Sequence, residues 1–209
     1  MKPALSAAFM RLLQPCTISL LSFIAAVISA APAIATPTVV VSVPDQTLVL
    51  IDGGVVVARY AVSTSKFGLG DRSGTYATPL GTMAIASKIG ANAPLGTVFK
   101  NRRPTGEVLR PNAPGRDPIV SRILWLRGLE KQNARAYSRN IYIHGTPEER
   151  LIGRPASYGC IRMRSSDVAQ LFNAVPVGTR IEVANTGLGP AVAKAKLESQ
   201  TRSARLAAN

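Results

Sequence analysis

The chemistry this chain can do is narrowed by what it lacks. Histidine occurs once, at His144, and cysteine only at Cys16 and Cys160. Any step that needs an imidazole must use His144. The two segments that matter read His144-Gly145-Thr146 and Ser157-Tyr158-Gly159-Cys160-Ile161-Arg162-Met163. A Cys–His pair makes a nucleophile, because the imidazole takes the thiol proton and the thiolate attacks a carbonyl carbon. Gly159 frees the backbone beside Cys160, so N–H groups there can point at a developing oxyanion. The competing reading is structural: Cys160 as a small buried hydrophobe and His144 as a satisfied strand-end residue. So few Cys and His exclude any metal site built only from them, which needs three or four ligands. They also exclude a disulfide-stapled mini-domain.

These groups must be held at fixed separation, and the surrounding pattern says how. Strands are expected over 39–43, 47–51 and 55–63, with Asp52-Gly53-Gly54 as a hairpin turn. A glycine-rich loop follows over 66–78, then a strand over 81–88. Residues 89–118 are rich in Gly, Pro, Asn and Arg, without periodicity, and read as a long irregular excursion. Further strands are expected over 119–127 and 140–144, the last ending at His144. The best helix runs over 165–175, capped by Ser165 or Ser166, with Asp167 in its first turn and Val168, Leu171, Phe172 and Val175 on one face. A last strand is expected over 180–184. Residues 185–209 read as a basic low-complexity tail, disordered or weakly helical.

The 209 residues fit one domain or two small ones. The N-terminus carries Lys2 and Arg11, an apolar run from Ile18 to Ala31, and the small-x-small pattern Ala33-Ile34-Ala35. Residues 1–35 are therefore expected to be a secretory signal peptide, cleaved after Ala35; an uncleaved anchor is the alternative. Cleavage removes Lys2, Arg11 and Cys16, so the net charge of +14 falls by two and one thiol remains. A strongly basic exported protein needs an anionic partner outside the cytosol, and envelope polymers or membrane surfaces fit. Aromatic residues make up only 5% of the chain, which argues against a nucleic-acid surface built on base stacking.

The segments around His144 and Cys160 resemble the L,D-transpeptidase catalytic domain, the YkuD family. Its signature is a histidine, then after a variable gap Ser/Thr-His-Gly-Cys, a hydrophobic residue, and Asn or Arg. Val62-Ser63-Thr64 and Thr78-Pro79-Leu80-Gly81-Thr82 also resemble upstream segments of that family. The likeness covers residues 36–184. This chain departs from the pattern at Tyr158, where many members have His, and at Met83, where an aromatic is usual. The resemblance implies a mostly β fold, a sandwich or barrel with one marked helix after the catalytic cysteine.

By the same resemblance, Cys160 is expected as nucleophile and His144 as base. The Gly145 carbonyl would orient the imidazole, and the N–H groups of Gly159 and Cys160 would line the oxyanion hole. Ser157 and Arg162 would position a peptidoglycan stem peptide, and Tyr158 would contact it. The implied reaction makes a thioester at the diamino acid of stem position three and releases D-Ala. The acyl group then passes to an amine in a second stem, to an envelope protein lysine, or to water in an L,D-carboxypeptidase. Carbapenem-type inhibitors are implied as acylating agents. The resemblance implies no cofactor and no metal. A monomer in the periplasm or cell-wall space is expected.

Other readings compete. Ser63-Thr64-Ser65-Lys66 fits the S-x-x-K nucleophile motif, but its S-D-N and K-T-G partners are missing. Gly68, Gly70 and Gly74 lack phosphate-loop spacing. A non-catalytic cell-wall-binding module remains the alternative from a different class.

Overall fold

The computed structural model describes residues 36–208. The signal peptide expected over 1–35 lies outside them. Ten strands form one mixed sheet. They are β1 (Thr38–Ser42), β2 (Thr47–Asp52), β3 (Val55–Ala61), β4 (Gly81–Ile89), β5 (Thr97–Lys100), β6 (Arg103–Val108), β7 (Ile119–Gly128), β8 (Tyr142–Gly145), β9 (Ile161–Met163) and β10 (Arg180–Ala184). The sheet order is β3-β2-β1-β10-β4-β7-β5-β6, and β8 and β9 branch off β7. Two pairings are parallel, β1 with β10 and β8 with β9. The β-branched run Val39-Val40-Val41 accounts for β1, which is buried on both faces.

The branch at β7 builds the site's floor. β7 pairs with β4 and β5 on one side and with β8 on the other. Its register against β8 shifts between Val120 and Ile123, and Ser121 there takes a positive φ of 69°. Such a bulge bends a strand and lets it serve two partners. Helix α1 (Ser165–Ala174) covers β7 and β8. Its Val168, Leu171 and Phe172 join Met83, Ile85, Leu124, Leu126, Ile143, Ile161 and Met163 in the main core.

Two local expectations need correction, and a third is narrowed. The 89–118 excursion contains the β5–β6 hairpin. Pro104 and Gly106 break the alternation that would mark β6, and β6 is an exposed edge strand where a proline is tolerated. The cap of α1 is Arg164, with no capping side chain of its own; the Glu149 carboxylate instead accepts the Ser165 N–H at 2.9 Å. Of the two states expected for the C-terminal segment, disordered or weakly helical, the structure shows the helical one, and as a packed helix: α2 (Leu188–Ala207). Leu188, Ala191 and Ala195 lie on one face and pack on Val40, Val49 and Ile51. Asp45 accepts the Leu188 N–H at 2.6 Å, a carboxylate at the positive end of the helix.

Candidate active site

Strand register brings the reactive residues together. Ile143 pairs with Ile161 and His144 with Arg162 in the parallel β8–β9 ladder. Side chains alternate along strands, so Ile143 and Ile161 enter the core while His144 and Arg162 share the opposite face. Tyr142 lies two residues before His144 on that same face. Its N–H donates to the Cys160 sulfur at 3.4 Å, and the thiol faces the Asn140 carbonyl at 3.4 Å. Cys160 is partly exposed and His144 is buried.

The imidazole's tautomer follows from its neighbour. His144 Nδ1 lies 2.7 Å from the Gly145 carbonyl oxygen. A carbonyl only accepts, so the proton sits on Nδ1 and Nε2 is left as the basic nitrogen. Burial pushes His144 down to about 4, against a raising influence from that hydrogen bond and from Asp117. Burial also pushes the Cys160 thiol up to about 11, opposed by the Tyr142 N–H and by the positive charges of Arg139 and Arg162. Both groups therefore rest uncharged at neutral pH.

The turn before Cys160 is tied down from both ends. The Ser157 hydroxyl donates to the Cys160 carbonyl at 2.6 Å and accepts the Gly159 N–H at 3.3 Å. Thr78 donates to the Gly159 carbonyl at 3.0 Å. Gly159 has φ +115°, and a Cβ there would crowd the Ala77 carbonyl at 3.3 Å; only glycine takes this conformation without strain. The Cys160 N–H has no acceptor among the described residues.

Ser157 and Arg162 take inward partners rather than facing a substrate. Ser157 is buried in the turn it holds. Arg162 is 3% exposed and is ion-paired to Asp117, which also accepts the Thr146 hydroxyl. Arg162 reaches Ser63 Oγ at 3.3 Å as well. A buried guanidinium needs such pairing. Both are positioned to brace the strands under His144 and Cys160. Tyr158 is the outward residue: it is 58% exposed, with its ring 5.3 Å from that of Phe67 and 5.9 Å from that of Tyr76. The Lys66 ammonium lies 3.0 Å from the Tyr158 hydroxyl and over its ring.

Sequence reasoning missed Asp117 and Arg139. Arg139 binds Asp71 at 2.9 Å and the Gly70 and Ala77 carbonyls, tying the glycine-rich loop to the segment before β8. Neither has a neighbouring motif, because each meets its partner only through the tertiary fold. Ser63, the candidate of the S-x-x-K reading, is buried with its hydroxyl donating to the Arg154 carbonyl, and it lies on no helix. Among the described residues, no group of three His, Cys, Asp or Glu side chains could hold a metal ion.

The family model for the L,D-transpeptidase catalytic domain, YkuD, matches residues 36–183. The chain belongs to that family. YqjB of Bacillus subtilis, provisionally named an L,D-transpeptidase, is 46% identical over 50 residues, 23% of this chain and 28% of that protein. ErfK/SrfK of Escherichia coli, similarly named, is 51% identical over 41 residues, 20% of this chain and 13% of its own length. The chain thus spans less than a third of these curated relatives. Among solved structures, an L,D-transpeptidase from Mycobacterium tuberculosis H37Rv is 19% identical with a TM-score of 0.47, over 71% of this chain and 57% of that one.

Proposed function

We propose that this chain is an exported cysteine L,D-transpeptidase acting on peptidoglycan stem peptides. The observation that carries the reading is the geometry at the start of the β8–β9 ladder: His144, Nδ1-protonated against the Gly145 carbonyl, pairs with Arg162 two residues after Cys160, and the Tyr142 N–H two residues before His144 donates to the Cys160 sulfur. The thiol proton passes to His144 Nε2 as sulfur attacks the L-centre carbonyl of the position-three diamino acid. The unengaged Cys160 N–H stabilises the tetrahedral oxyanion, while the Gly159 N–H is held by Ser157. The C–N bond to D-Ala breaks, His144 returns the proton to the leaving amine, and a thioester remains. An amine of a second stem then attacks the thioester, giving a new amide and the free thiol. An envelope protein lysine is the other amine acceptor this chemistry admits.

The neutral resting pair suits a buried site, since charge develops only as the acyl group is attacked. Asp117 supports the step by neutralising Arg162 beside the imidazole. The apolar run 18–31 followed by Ala33-Ile34-Ala35 supports export to the periplasm or cell-wall space.

Intact-protein mass spectrometry of residues 36–209 with a carbapenem tests the reading. One covalent adduct is expected, and Cys160→Ala should abolish it. A folded protein that forms no adduct, and that leaves a disaccharide-tetrapeptide unchanged, would overturn it.

A further inference from the structure

The β5–β6 hairpin turns through Asn101 and Arg102, since Lys100 pairs with Arg103. Both turn residues have positive φ, 50° and 66°. This is the mirror-image turn that favours Asn or Gly, and an arginine in its second position costs backbone energy. Arg102 lies where that strain has a use. Its guanidinium stacks over Trp125 with its carbon 4.5 Å from the ring centre, and Trp125 itself stacks on Tyr137. Its Nη1 donates to Asn140 Oδ1 at 3.1 Å and to the Tyr142 hydroxyl at 3.2 Å. Asn140 and Tyr142 are the two residues whose backbone groups hold the Cys160 sulfur.

Arg102 therefore sits one side chain away from the nucleophile. Nη2 and Nε have no acceptor among the described residues, and no acidic side chain pairs with this guanidinium there. The aromatic stack fixes its plane. It also lines an open groove of about 760 Å³ with Lys100, Asn101, Arg103, Pro104 and Thr105. A preorganised guanidinium with free parallel donors recognises a carboxylate bidentately.

Resting on the transpeptidase reading, we propose that Arg102 binds the free terminal carboxylate of the donor stem, on the D-amino acid that leaves. That carboxylate belongs to the residue just past the scissile bond. It must therefore lie within one residue's reach of the sulfur, and Arg102 is joined to the sulfur through the two residues Asn140 and Tyr142. The charge it meets departs with the leaving group, so the contact serves donor recognition and not the second stem.

The test compares a tetrapeptide stem carrying a C-terminal carboxylate with the same stem as a C-terminal carboxamide. Release of the terminal residue is followed for the wild-type chain, Arg102→Ala and Arg102→Lys. The wild-type chain should prefer the acid. In Arg102→Ala the acid-over-amide ratio of kcat/KM should fall about 10- to 100-fold, the effect of losing a hydrogen bond to a charged group. Most of that loss should appear in KM, and Arg102→Lys should recover part of it. Labelling of Cys160 by iodoacetamide, a neutral probe, confirms that each variant keeps a folded and reachable site. Equal losses on both substrates would mark Arg102 as a structural prop of the hairpin and overturn the proposal. Wild-type protein that labels with iodoacetamide but cleaves neither stem would overturn the transpeptidase reading itself, and the carboxylate proposal with it.

Discussion

Burial sets the ionisation of both reactive groups in opposite directions, and this makes the site legible in a stability measurement. The His144 imidazole, held down to about 4, refuses a proton that the unfolded chain accepts near the ordinary value of 6.5. Between those values the unfolded state binds more protons than the folded state, so stability rises with pH and is lost as pH falls. From pH 7 to pH 4.5 this group alone is expected to remove roughly 2–3 kcal/mol. Above pH 9 the sign reverses. The thiol, raised to about 11, stays protonated in the fold while the unfolded chain releases its proton, so stability declines again toward pH 11. Denaturant unfolding across this range, with His144→Asn as comparison, isolates the acid limb. The variant should lose much less stability than the wild-type chain between pH 7 and 4.5. Equal slopes would mean that the His144 imidazole is solvated in the fold.

At the scale of elements, the longer strands of the sheet were readable, whereas strand β9 beside Cys160 and the supports of the site were not. Val55 onward, Ile119–Gly128 and Arg180–Ala184 carry dense β-branched or alternating patterns, and the structure has strands there. Strand β9 is only three residues long, hidden between Cys160 and Arg164, and is defined by its parallel partner rather than by periodicity. The β5–β6 hairpin is masked by proline, glycine and arginine. Helix α2 is masked by its small face: alanines at 191 and 195 bury little area each and look like low complexity until β1 and β2 lie beneath them. The Asp117–Arg162 and Asp71–Arg139 pairs join segments far apart in sequence. Spacing alone cannot find such pairs, because nothing local selects the partner. The α2 contact is testable by itself. Leu188 packs at the start of the helix against the β1–β2 face, and Leu188→Ala should cost about 2 kcal/mol in urea unfolding. A change below about 0.5 kcal/mol would mean that α2 detaches in solution without affecting the sheet.

For the molecule as a whole, the dominant long-range property is charge. The chain has 25 Lys plus Arg against 11 Asp plus Glu. Within the fold, several acidic groups are spent on internal pairs with Arg139, Arg162 and Lys194. Many basic side chains, including Lys100, Arg103, Arg110 and Arg116, remain exposed. Such a surface concentrates near anionic polymers, and the attraction is screened over about 8 Å at physiological ionic strength. Retention on isolated peptidoglycan sacculi should therefore weaken several-fold between about 50 mM and about 300 mM salt. Iodoacetamide labelling of Cys160 should be insensitive to the same change, because that probe is neutral and the local fields of Arg139 and Arg162 act at short range. Retention that does not respond to salt would show that attachment rests on the cleft and its stem-peptide contacts rather than on the basic surface. Salt would then alter neither the binding nor the encounter rate, and the excess of lysine and arginine would serve only to keep the protein soluble.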